Sequence, residues 1–361
     1  MQDKVNLLDF SELSMKNWLT DIGQPAFRAQ QLINWLHQQF EDDFDQMLNL
    51  PKSFRTWLNE NACIHHLPIQ HEHISQDGTI KWLLSVDQVN AVEMVYIPES
   101  TRGTLCISSQ VGCALDCSFC STGKQGFNRN LTSGEIIGQL RLANMRLKTL
   151  LPDRRTPITN VVMMGMGEPL ANEKHVTESL KLMIDDHAYG LAYRRVTVST
   201  SGMVPAMLRL KESLPQIAMA VSLHAPNDAL RNELVPINQK YPLSQLMEVC
   251  AHYYEGQKKR QITYEYVMLK GVNDSLAHAK ELAKLLRQAP GKINLIPFNP
   301  FKNSPYKTSD RAQIVAFQQY LRDDYVTTIR ATRGDDISAA CGQLVGDVKD
   351  KTRRIKIHVK D

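Results

Sequence analysis

From Thr104 onward the chain alternates between short apolar runs and longer amphipathic ones, and this alternation limits its fold more than any other feature. The candidate strands are TLCISS, ITNVVMMG, RVTVST, IAMAVSLH, ITYEYVML, KINLIPF and VTTIRAT. Between them lie SGEIIGQLRLANMRLKTL, KHVTESLKLMIDD, VPAMLRLKESL, LSQLMEVCAHYYE, LAHAKELAKLLRQ and RAQIVAFQQYLRDD, which read as helices. Strands alternating with helices predict a parallel sheet with crossover helices. The strands are apolar on both faces, as barrel strands and doubly wound strands are. Polar residues cluster just after them, at Glu168, Ser199, His224 and Asn299. A β/α barrel gathers its active site at that rim. The expected class is therefore α/β, as a partly open parallel β/α barrel.

The first hundred residues read differently. SMKNWLTDIGQPAFRAQQLINWLHQQF predicts two short helices broken at DIGQPAF, with Trp18, Leu19, Leu32, Trp35 and Leu36 at helical spacings. LPKSFRTWLNENA offers a third, with Pro51 near its start. TIKWLLSV and AVEMVYIP, two short extended runs separated by DQVN, predict a hairpin. Residues 1–99 are thus expected to be a small helical module plus a hairpin, and residues 100–361 the barrel core with a C-terminal loop and basic tail. At 361 residues and 43% hydrophobic content, the chain can bury a core of that size.

A net charge of +4 is too small for global attraction to nucleic acid, so any such binding must come from local patches. Basic clusters occur in KTLLPDRR, YRR, GQKKR and the tail KDKTRRIKIHVK, each of which also reads as a solvated face. In the N-terminal module, Arg28, Lys52 and Arg55 stand near Phe27, Phe54 and Trp57. Such a mixture suits structured RNA, and the aromatics equally suit a helix-packing core. The N-terminus has no apolar stretch like that of a signal peptide, and no run is long enough for a membrane span. Seven cysteines, an odd count without regular spacing, argue against a secreted disulfide framework. The expected location is the reducing cytoplasm.

Four of the seven cysteines fall in CISSQVGCALDCSFCSTG. Cys113, Cys117 and Cys120 follow a Cys-x3-Cys-x2-Cys spacing just after the first barrel strand. Three thiolates can hold three irons of a 4Fe–4S cluster and leave the fourth open to a small molecule. Structural zinc usually takes four ligands, and no second cysteine pair follows nearby. Spacing alone leaves iron–sulfur, zinc and neither as open readings. Phe119 is placed to cover a cluster. GMGEP, Gly165 to Pro169, ends a strand, and Gly167 allows close backbone approach beside the Glu168 carboxylate. It lacks the third glycine and helix start of a dinucleotide fingerprint.

CALDCSFC resembles the signature of radical S-adenosylmethionine (SAM) enzymes. Together with AVEMVYIPE, MGMGEPL, VTVSTSGMVP, AVSLHAPND, IPFNP and the N-terminal IGQPAFRAQQL, it resembles the dual-specificity adenine methyltransferases of 23S ribosomal RNA and transfer RNA. The resemblance implies a 4Fe–4S cluster on Cys113, Cys117 and Cys120 and two SAM molecules per turnover. It implies SAM contacts from Gly167, Glu168, Ser199, Ser222, Leu223, His224 and Asn299. Carbon 2 of adenine is electron-poor and will not attack SAM, so the family makes the bond by radical chemistry. The resemblance implies that one SAM methylates Cys341 and that a second supplies the radical that removes hydrogen from the S-methyl group. It further implies that the carbon radical joins the adenine and that Cys106 releases the RNA by forming a disulfide. Glu93 corresponds to the proton acceptor. The implied partners are both RNAs and a flavodoxin-type electron donor, with a monomeric, membrane-free protein. A sibling family that methylates carbon 8 shares these cysteines, and a zinc-stabilised RNA-binding protein is the non-catalytic alternative. Cys63 and Cys250 have no implied role.

Overall fold

The computed structural model describes residues 4–257 and 259–352. The basic tail beyond Thr352, and Lys258 within GQKKR, lie outside the described residues.

Ten strands form one sheet whose spatial order follows the chain. They are β1 (Ile69–Ile74), β2 (Ile80–Ser85), β3 (Ala91–Pro98), β4 (Gly103–Cys106), β5 (Asn160–Met163), β6 (Val196–Thr200), β7 (Ala218–Ser222), β8 (Thr263–Met268), β9 (Lys292–Pro297) and β10 (Thr327–Ile329). Strands β4 to β10 run parallel. Strands β1 to β4 pair antiparallel. The edge strands β1 and β10 are not paired to each other, so the barrel is open, as the sequence implies.

Among the helices are α1 (Glu12–Asp21), α2 (Arg28–Asn34), α3 (Lys52–Asn61), α4 (Ser133–Leu150), α5 (Glu173–Ile184), α6 (Val204–Ser213), α7 (Leu243–His252), α8 (Leu276–Leu286) and α9 (Arg311–Leu321). The last six include the crossovers that parallel strands require. Helix α4 starts sharply because Thr132 and Glu135 form a reciprocal capping box. The break between α1 and α2 falls at Gly23, whose φ of 71° suits a residue without Cβ.

The hairpin read as part of the N-terminal unit extends the barrel sheet, because Val95 to Pro98 pair with Cys106 to Gly103. It also gains a third strand, β1, which the sequence reading left out. The pattern IQHEHI carries little apolar signal, and only Ile69 and Glu72 in it are partly buried.

The helical module packs on the outside of α4 and α5. Arg141 of α4 is fully enclosed, with its Nε donating to Leu36 O at 3.0 Å and Nη2 to Asp42 Oδ1 at 2.6 Å. His37 meets the Tyr189 hydroxyl at 3.2 Å, and its burial pushes its pKa down to about 3. Asp9 accepts the Gly134 N–H at the first turn of α4 (2.7 Å). Module and barrel are therefore joined through buried polar contacts, which are costly to leave unpaired. Phe54 belongs to this core, with Trp57 stacked on it at 6.1 Å and the Arg28 guanidinium 5.1 Å over its ring. Phe27 is exposed. Lys52 is exposed as well, while Arg55 is partly covered and donates to Asp45 O.

Candidate active site

The parallel strands end around a cleft holding about 960 Å3 of empty space. Cys113, Cys117 and Cys120 line one side, in the loop after the short strand Gln110–Gly112. Gly167, Glu168, Ser199, Ser222, His224 and Asn299 arrive from successive strand ends, and Cys341 closes the rim. The structure thus brings nearly all the expected site residues to one place. Leu223 is the exception among the SAM candidates. Its side chain lies in the core, and its carbonyl accepts a hydrogen bond from Arg231 Nε at 3.0 Å.

The three thiols sit where charge is costly. Burial first, then mutual repulsion, raises Cys113, and the same causes push Cys117 up to about 12. Burial raises Cys120 too, against amide hydrogen bonds from Gly123 and Thr122. Such thiols become thiolates only when a cation balances them. Structural zinc closes on four donors, whereas three thiols in one loop suit an iron–sulfur cluster that keeps one iron open.

Gln110 ties the cysteine loop to GMGEP. Its Oε1 accepts the N–H of Ala114 at 3.1 Å and of Glu168 at 3.0 Å. Gly167 must be glycine at this contact: its φ is 100°, and a Cβ would lie 2.5 Å from Gln110 Cβ. Glu168 is held by N–H groups of Leu170 (3.1 Å) and Ser201 (2.8 Å), although burial still raises its pKa.

His224 has a left-handed backbone (φ 60°), and its Nδ1 accepts the Val267 N–H at 3.0 Å. That bond leaves the proton on Nε2. Burial lowers its pKa to about 3, so the ring is neutral. Phe119 packs edge-on against it, with centroids 4.6 Å apart. Asn299 is engaged with the Cys341 loop, donating to Cys341 O at 3.1 Å.

A second cavity, with about 1,870 Å3 of empty space, occupies the barrel lumen. Cys106 lines it. Glu265, Asn299, Arg330 and Cys341 line both cavities. Cys341 therefore stands at the junction of cleft and lumen. Burial, then the Cys341 sulfur, pushes Cys106 up to about 12. The same Cys341 sulfur is the main reason Arg330 is raised, with Glu265 and Cys106 adding to it. All seven cysteines are free thiols.

Glu93 lines neither cavity. Its side chain is buried, paired to Lys81 at 3.0 Å and accepting the Val345 N–H at 2.8 Å. Burial raises its pKa. Alternation along β3 puts it on the same face as Val95 and Ile97, which line the lumen. The segment carrying Cys341 is fastened across the cysteine loop: Ser121 N donates to Gly342 O (2.8 Å), Thr122 Oγ1 to Leu344 O (2.8 Å) and Gln125 Nε2 to Gly346 O (2.7 Å).

Gln110, Arg231, Glu265 and Arg330 escaped the sequence reading. Glu265 alone left a signal there, as an acid inside the otherwise apolar ITYEYVML. Arg231 is fully buried and donates to the carbonyls of Leu223, Ser222 and Ser201, which fixes two strand ends of the rim.

An open parallel barrel with three cysteines in the loop beyond its first parallel strand, and a Gly-Glu turn facing them, defines a radical SAM enzyme. Residues 107–286 match the radical SAM superfamily, and residues 5–64 match the ribosomal RNA large subunit methyltransferase N-terminal domain. A solved structure of a radical SAM methyltransferase from Sphaerobacter thermophilus is similar at 42% identity, over 94% of this chain and 99% of that one, with a TM-score of 0.86. A domain of pyruvate-formate lyase-activating enzyme from Bacteroides vulgatus ATCC 8482 is similar at 17% identity, over 48% of this chain and 99% of that one, with a TM-score of 0.37. The chain belongs to the family of radical SAM methyltransferases that carry this N-terminal domain. It is a SAM-dependent enzyme. Among the described residues, no helix is long and apolar enough to cross a membrane.

Proposed function

We propose that the enzyme methylates carbon 2 of an adenine in 23S ribosomal RNA and in transfer RNA, at the adenosine 3′ of the anticodon, with Cys341 as methyl carrier. The observation that carries this reading is the place of Cys341, at the junction between the cleft of the three thiols and the lumen lined by Cys106. One sulfur there can face SAM on one side and a flipped-out base on the other. Modification of a base in structured RNA requires it to leave its stack.

Cys113, Cys117 and Cys120 would hold a 4Fe–4S cluster, with Glu168, Ser199, Ser222 and His224 around the SAM beside it. When bound, that cluster supplies the electron that splits SAM. The residues of the chain do the rest. Arg330 lies beside Cys341, whose sulfur accepts a methyl group from the first SAM. The S-methyl carbon, after losing a hydrogen atom to the SAM-derived radical, bonds to carbon 2. The adduct radical must then give up one electron, which would return to the oxidised cluster, together with its carbon-2 proton. Cys106 Sγ then attacks Cys341 Sγ: an S–S bond forms, the S–CH2 bond breaks, and the carbon takes a proton to complete the methyl. Glu93, on the lumen-facing side of β3, takes the proton that leaves carbon 2. An external reductant restores the two thiols, and a flavodoxin-type donor supplies the electron for SAM cleavage. The protein acts as a monomer in the cytoplasm.

The test is mass spectrometry of nucleosides from RNA treated with the reconstituted enzyme. The expected product is 2-methyladenosine in both RNAs. Methylation only at carbon 8, or a colourless zinc protein that binds RNA without modifying it, would overturn the proposal.

A further inference from the structure

Barrel interiors are usually filled by branched apolar side chains. This lumen sets Asn160, Thr197, Thr263, Glu265, Asn294 and Thr328 among branched apolar residues such as Val95, Val162 and Ile293. Of its two acids, Glu99 is paired with Arg102, which leaves Glu265. It is 5% exposed, sits mid-strand in β8, and shares both cavity walls with Cys341. Asn294 Nδ2 donates to Glu265 Oε2 at 2.8 Å, and Asn294 Oδ1 in turn accepts from Thr328 Oγ1 at 3.2 Å. That chain fixes the carboxyl plane. Among the described residues, Glu265 Oε1 has no hydrogen-bond partner.

A buried carboxyl with one anchored oxygen on a cavity wall can take a further hydrogen-bond partner there. The ligand's orientation follows from the proposed reaction. Carbon 2 must meet Cys341, and its ring neighbours are N1 and N3. N3 lies toward the ribose, whereas N1 and the N6 amino group form the free edge. A protonated carboxyl offers one acceptor and one donor, the pair that an amide side chain uses to read adenine. We propose that Glu265 reads this edge of the target adenine, accepting from N6–H and donating to N1. The inference rests on the reading that the base enters the lumen for modification at carbon 2.

Burial supports the neutral form, since it raises the Glu265 pKa against the pull of Arg330 and Asn294. A donor at N1 also withdraws electron density from the adjacent carbon 2. An electron-rich carbon radical then adds more readily. No proton changes hands in this contact, so Glu265 binds and polarises while the departing proton goes elsewhere.

The experiment measures binding, because 1-deazaadenine differs from adenine in its own reactivity. Cluster-loaded wild-type enzyme, Glu265→Ala and Glu265→Gln are titrated with a hairpin RNA carrying adenosine, 1-deazaadenosine or 7-deazaadenosine at the target. In the wild type, loss of N1 is expected to weaken binding about five- to fiftyfold, and loss of N7 less than about twofold. Glu265→Ala should bind all three alike, at the level of wild type with 1-deazaadenosine. Glu265→Gln should recover the preference for N1, since its amide supplies a donor and an acceptor. The three wild-type titrations stand whether or not the variants fold. A loss confined to 7-deazaadenosine, or an undiminished N1 preference in Glu265→Ala, overturns the inference. If wild type methylates carbon 2 but ignores N1, this inference alone fails. If it makes no 2-methyladenosine, the functional reading fails first.

Discussion

The cleft and the lumen are adjoining halves of one site, yet they are built in opposite ways. The cluster-facing end of the cleft draws its chemistry from short contiguous stretches, three cysteines within eight positions and a Gly-Glu turn held to them by Gln110, while its other wall is shared among strand ends. The lumen takes single residues from far apart, with Cys106, Glu265, Arg330 and Cys341 on four different segments. Local motifs can hold a cofactor because a tight loop fixes several ligands at once. A path for a large substrate needs walls, and walls come from many strands. Damage to the cleft should therefore stop all chemistry, while damage to the lumen should separate one step from another.

The largest expected effect is at Cys117→Ala. Iron and sulfide content should fall to background, together with SAM cleavage and methylation. Retained iron with retained SAM cleavage would remove the cleft from the account. Next comes Gly167→Ala, which forces a Cβ against Gln110. Strain of this kind costs about 1–3 kcal/mol. Here it acts on SAM binding, so the change in the cluster's electron paramagnetic resonance signal on adding SAM should be lost while iron content holds. An unchanged response would show that the turn does not report to the cysteine loop.

Outside the site, Arg141→Ala tests whether module and barrel are one unit. It leaves Leu36 O without its partner and Asp42 with His66 alone, and opens a cavity, for a loss of about 2–4 kcal/mol in urea unfolding. Two separate transitions appearing in the variant would fit; an unshifted single transition would not. His37 gives a smaller, pH-dependent term. Its folded pKa is depressed, so the stability it contributes is full above the ordinary histidine range and is lost as acid is added. Between about pH 5.5 and 4, replacing it with Gln should reduce the slope of stability against pH by about 1.4 kcal/mol per unit. An identical slope would place a water or counter-charge at His37. Lys270→Ala, which breaks an exposed pair with Asp310, should leave the unfolding midpoint unchanged.

The same contrast governs what could be read in the sequence. The seven parallel strands were legible because they are apolar on both faces, and the crossover helices because their periodicity is strong. Strand β1 was not, since an edge strand facing water shows histidines and a glutamate in place of apolar alternation. In the site, the cysteine triplet announced itself by spacing. Cys341 and Cys106 emerged only through resemblance, because a lone cysteine usually reads as a small apolar residue. Gln110 and Arg330 carry no local signal. Their importance depends on what long-range folding places beside them, namely the Ala114 and Glu168 amides for one and the Cys341 sulfur for the other.

The claim that cleft and lumen share one travelling methyl carrier is tested most directly by intact-protein mass spectrometry of Cys106→Ala and Cys341→Ala after incubation with SAM, reductant and RNA. The account expects Cys106→Ala to gain the mass of bound RNA, and Cys341→Ala to gain neither RNA nor a methyl group. Free methylated RNA from both variants, with neither protein gaining mass, would contradict it.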